Sequence, residues 1–108
     1  MAVIGDSSRI QLLLNQKIDL ENKIQLVAQT KAGLAFANRD LMQVGTDYSP
    51  DSPVVKQLNQ RQAKLKVIEQ KLDTQMEQYR IQLQMVETEL NACRSRLRSG
   101  IGDAFRYA

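Results

Sequence analysis

Apolar residues recur along this chain at steps of three and four over two long stretches. The first reads Ile10, Leu13, Leu20, Ile24, Val27, Leu34 and Leu41. The second reads Val55, Leu58, Leu65, Ile68, Leu72, Met76, Tyr79, Leu83, Val86, Leu90, Cys93 and Leu97. That spacing draws one apolar stripe along each of two helices. Between them, Gly45 to Pro53 is all turn chemistry, with Pro50 and Pro53 inside it. Two striped helices on a short linker fold back on one another. The pattern therefore predicts an all-α chain, a single domain over 1–108. Its form is a long antiparallel, coiled-coil-like two-helix hairpin with a short C-terminal tail.

Local signals place the boundaries. Asp6, Ser7 or Ser8 can cap a first helix that begins near residue 8 and runs to about 43, where Gly45 supplies the left-handed position that commonly closes a helix. The turn covers 44–53, and Ser52 followed by Pro53 reads as an N-cap and a first helical position. Helix two runs from about 54 to 98, and Ser99-Gly100 breaks it before a tail over 99–108. With these bounds helix two overhangs helix one by about two turns at 3.6 residues per turn, carrying Leu90, Cys93 and Leu97 beyond their partner.

The seam expected inside the hairpin is Leu13, Leu20, Val27, Leu34 and Leu41 against Leu58, Leu65, Leu72, Tyr79 and Val86. Ile68, Leu72 and Met76 step by four and four, a phase that locally unwinds a left-handed supercoil. Lys17, Lys31, Asn38, Arg61 and Gln62 fall where apolar residues are due. Such positions either fix register or snorkel at the seam's edge, and snorkelling is the expected case.

A second set of apolar residues lies off the stripe: Leu12, Leu26 and Phe36 on helix one, Val67, Ile81 and Met85 on helix two, and Ile101 and Phe105 in the tail. On a two-helix unit these face water unless another chain covers them, so they are the expected assembly interface. The 13 Gln add a polar but weakly charged coat suited to lateral packing.

Composition narrows the function by exclusion. With no His and a single Cys, the chain has no Ser–His or Cys–His couple, no His-based zinc site and no internal disulfide. Cys93 falls in the seam, as a structural thiol does. Asp73 and Glu77 share a helix face without further oxygen ligands, and the glycines form no phosphate-binding loop. No catalytic, cofactor or metal residue is assigned, and an enzyme is not expected. The net charge of +3 gathers late, in Arg94, Arg96, Arg98 and Arg106, where cations complement a helix C-terminus. Nucleic acid is therefore not the expected partner. No apolar run reaches the ~20 residues of a membrane span, and the start does not read as a secretory signal.

Pro50-Asp51-Ser52-Pro53, followed by Val54, Val55 and Leu58, resembles the turn of needle-forming subunits of type III secretion systems. Those are small helical hairpins exported without a cleaved signal. Ile101 and Phe105 match the apolar C-terminal end of that family. The resemblance implies a subunit that polymerises through its C-terminal segment, exported by a signal-free route. This chain is longer than such subunits, and Gly100 interrupts its last segment. The expected function is that of a structural helical hairpin that self-assembles into a filament or needle-like oligomer. The alternatives are a coiled-coil adaptor or export chaperone holding another helical protein, and a nucleic-acid accessory protein.

Overall fold

The computed structural model describes residues 2–107, with side chains over 5–103. Two helices, α1 (Ala2–Thr46) and α2 (Pro53–Tyr107), account for all regular structure among the described residues. The fold is an all-α helical hairpin. The chain forms two compact units, and both helices run through each. Unit 1 joins residues 1–24 to residues 78–108, and unit 2 comprises residues 25–77.

In unit 1 the helices run antiparallel. Asp6 meets Arg96, Arg9 meets Glu89, and Lys17 meets Glu87 as α1 ascends and α2 descends. The driest packing lies here. Leu13 and Cys93 are wholly buried and Leu90 nearly so, with Ile10, Leu14 and Val86 packed around them. In unit 2 the turn reverses the chain, and Lys31 on α1 pairs with Asp73 on α2. Val27, Leu58 and Met76 are buried in this unit. Leu34, Leu41, Leu65 and Leu72 are only half-buried.

The turn follows its local chemistry. The Asp47 and Tyr48 amides donate to Val44 O and Gly45 O, each at 3.4 Å, and the Ser52 amide donates to Ser49 O at 3.0 Å. The Val54 amide donates to Ser52 Oγ at 3.2 Å, and the Lys56 amide to Ser52 O at 3.2 Å. Ser52 is thus the N-cap of α2, with Pro53 at the first helical position, where a missing N–H costs nothing.

The helices are longer than the local signals predict. α1 begins before residue 8, and Asp6 turns its carboxylate to Arg96 (3.3 Å) instead of capping. Gly45 lies inside α1, and no glycine among the described residues has positive φ. It faces Leu58, whose methyl Cδ1 would stand in ordinary contact, 3.6 Å, with a Cβ at this position. Ser99-Gly100 does not interrupt α2, so residues 99–107 continue the helix rather than forming a separate tail. A helical glycine costs only about 1 kcal/mol, too little to stop a helix supported on both sides. The longer α1 also covers Leu90 and Cys93, which pack on Leu13 instead of overhanging.

The seam corrects the expected phase change. Buried and half-buried positions on α1 step through Asp6, Ile10, Leu13, Lys17, Leu20, Ile24, Val27, Lys31, Leu34, Asn38, Leu41 and Gly45. On α2 they step through Leu58, Gln62, Leu65, Glu69, Leu72, Met76, Tyr79, Leu83, Val86, Leu90, Cys93 and Leu97. Both alternate three and four throughout. Glu69 is half-buried and Ile68 is 42% exposed, so no local unwinding phase occurs at Ile68. Leu65 and Leu72 stand seven apart, and a regular coil carries the position between them to 69 whatever residue is there.

Candidate interaction surface

The charged positions of the seam act across it. Lys17 bridges Glu21 on its own helix and Glu87 on α2, each at 3.9 Å, while Lys31 reaches Asp73. Their stems lie along the seam and their ammonium groups meet acids of the opposing helix, which defines register as well as snorkelling. Lys23 hydrogen-bonds Asp19 at 2.9 Å and stands 5.9 Å from the centre of the Tyr79 ring. The hydrogen bond to Asp19, then its charge, raises the Lys23 pKa above 10.5. The Asn38 side-chain oxygen is buried without a hydrogen-bond partner among the described residues, in a stretch of seam that also contains Gln62 and Glu69. Unit 2 therefore has a more polar seam than unit 1.

Of the residues expected to face other chains, Leu12, Leu26, Phe36, Val67, Ile81, Met85 and Ile101 are all exposed. The Phe105 side chain lies outside the described residues. These side chains do not form one strip. Phe36 sits on the back of α1, and Val67 and Ile81 on the back of α2, each turned away from the seam by its place in the heptad.

A more concentrated apolar surface lies along one flank of unit 2. Ala37, Leu41 and Val44 of α1 and Leu65 of α2 line an open groove of about 480 Å³, rimmed by Asp40 on one helix and Arg61 and Lys64 on the other. Lys64 also borders a neighbouring hollow with Ala63, Val67 and Ile68. Val44 and Ile68 are 48% and 42% exposed. Among the described residues Asp40, Arg61 and Lys64 make no ion pair. Only Val67 of this surface was expected to face another chain. Ile68 was placed on the apolar stripe of helix two, and the steps of three and four in which Glu69 replaces it were the signal that could have corrected this.

The basic residues near the end of α2 have a different setting from the one expected. Arg94, Arg96 and Arg98 stand well before Tyr107, outside the last turn where a helix dipole acts. Arg96 is engaged by Asp6 and donates from Nη2 to Cys93 Sγ at 3.1 Å. Among the described residues no three His, Cys, Asp or Glu side chains gather as a metal site, and no helix is long and apolar enough to cross a membrane.

These features define a class, the all-α helical hairpin with heptad-spaced seam positions in each unit. The chain matches no protein-family model, no curated protein and no solved structure.

Proposed function

We propose that this chain is a non-enzymatic structural subunit, a helical hairpin that associates with copies of itself. The observation that carries this reading is surface area. The chain exposes 8295 Å². A compact monomer of its 12.3 kDa exposes roughly 6,100 Å² by the usual scaling of surface with mass. The excess, roughly 2,200 Å², is larger than the ~800 Å² that each partner buries in a standard-size protein–protein contact. Leu26, Phe36, Val44, Val67, Ile81 and Met85 are among the chain's exposed large apolar side chains. Burying such surface stabilises association by about 25 cal/mol per Å², before the cost of immobilising the partners.

The Pro50–Pro53 turn and the helical C-terminal segment are compatible with a needle-type subunit, which repeats one heterologous contact without closing. A contact that closes gives a ring or dimer instead. Light scattering over a concentration series, with negative-stain images of the same samples, tests the reading. The expected result is a mass at least twice that of the single chain at micromolar concentration. A single-chain mass across the whole range overturns self-assembly and transfers the apolar flank to a different helical partner.

A further inference from the structure

Resting on the self-assembly reading, we propose that the groove between Asp40 on α1 and Arg61 and Lys64 on α2 is a two-fold interface with a second copy of this chain, both turns pointing the same way. Its floor is apolar, from Ala37, Leu41, Val44 and Leu65. Its rims carry opposite charges on different helices, and none of the three is neutralised within the chain among the described residues. That separation selects one symmetry. A two-fold axis parallel to the helices lays α1 of one copy on α2 of the other at the same level. Gly45 lies level with Leu58, which sets Asp40 between Arg61 and Lys64 along the hairpin. The axis therefore brings each Asp40 to the partner's basic rim, twice per dimer, while the apolar floors close on each other. A two-fold axis perpendicular to the helices would set like rims together, and like charges opposed at an interface are strongly unfavourable. The contact is isologous, so it closes at two copies.

Charge reversal and mixing test it. Asp40→Lys alone, and Arg61→Glu with Lys64→Glu, are each expected to weaken dimerisation at least roughly tenfold by opposing like charges. Circular dichroism is expected to show unchanged helicity, because all three residues are exposed. Mixing the two variants is expected to restore a dimer containing one of each, because both of its contacts then pair acid with base. A general loss of folding would not produce that recovery. If the wild-type chain associates but neither variant weakens it, the groove is the wrong surface while self-assembly stands; loss of association in Ile81→Asp would then assign it to the back of α2. If the variants weaken association and the mixture does not recover, the pairing of Asp40 with Arg61 and Lys64 is wrong. A wild-type chain that stays single overturns this interface together with the self-assembly reading.

Discussion

At the scale of single residues, the energetics of unit 1 concentrate on three side chains. Leu13 on α1 and Leu90 and Cys93 on α2 are almost completely buried and pack together, whereas Ile81 on α2 is half exposed. Leu90→Ala removes buried methyl groups and leaves a cavity, so it is expected to cost about 2–5 kcal/mol, read as a lowered urea midpoint. Ile81→Ala changes a side chain in water and is expected to stay within about 0.5 kcal/mol. The exposed ion pairs add less. Asp19 raises the Lys23 pKa in the folded chain. Whatever that pair contributes is present below the ordinary lysine pKa and lost as pH rises through the folded value. Burial of Leu13 was legible from the apolar steps; those steps put Cys93 on the stripe, but the expected helix bounds left it overhanging instead of packed on Leu13. The chosen partners of Lys17 and Lys31 were not legible, because a one-dimensional pattern does not say which acid of the other helix lies level with a given lysine.

At the scale of elements, helix lengths and ends follow from two kinds of cause. The start of α2 is local: Ser52 caps it, and Pro53 opens it. Ser52→Ala is expected to cost about 1 kcal/mol, measured by thermal or urea unfolding. The start of α1 and the continuation of α2 past Gly100 are not local, since Ala2–Ser7 and Ser99–Gly102 contain no strong helical signal. Contacts such as Asp6 with Arg96 hold those ends together. Gly33 illustrates a residue neither cause requires. Its φ is not positive, and a Cβ there would meet nothing within 4 Å. Gly33→Ala is expected to stabilise the chain by up to about 1 kcal/mol in the same measurement, because alanine loses less backbone freedom on entering a helix. Three threonines inside the helices are accommodated differently. Thr30, Thr74 and Thr88 donate their hydroxyls to the carbonyls four residues back, at 2.9, 3.1 and 2.9 Å.

At the scale of the whole molecule, the two units differ in how dry their seams are. Unit 1 contains the fully buried cluster, while unit 2 admits Lys31, Asn38, Gln62 and Glu69 between its leucines. Local opening follows the density of buried apolar contacts. Amide hydrogens of residues 10–17 and 83–93 are therefore expected to exchange more slowly than those of residues 34–45 and 58–69. Equal protection in both units would contradict that energetic difference. The polar stretch of seam lies beside the apolar groove, so the proposed partner would cover the part of the molecule with least apolar packing of its own. The sequence by itself determined the two helices, the turn between them and their antiparallel pairing, because each depends on local signals or on a periodicity that repeats many times. Only the tertiary structure decided which acids Lys17 and Lys31 meet, that α1 runs on through Gly45, and that α2 continues through Gly100. Those outcomes depend on which residues of one helix lie level with which of the other, a relation set by packing between the helices within each unit.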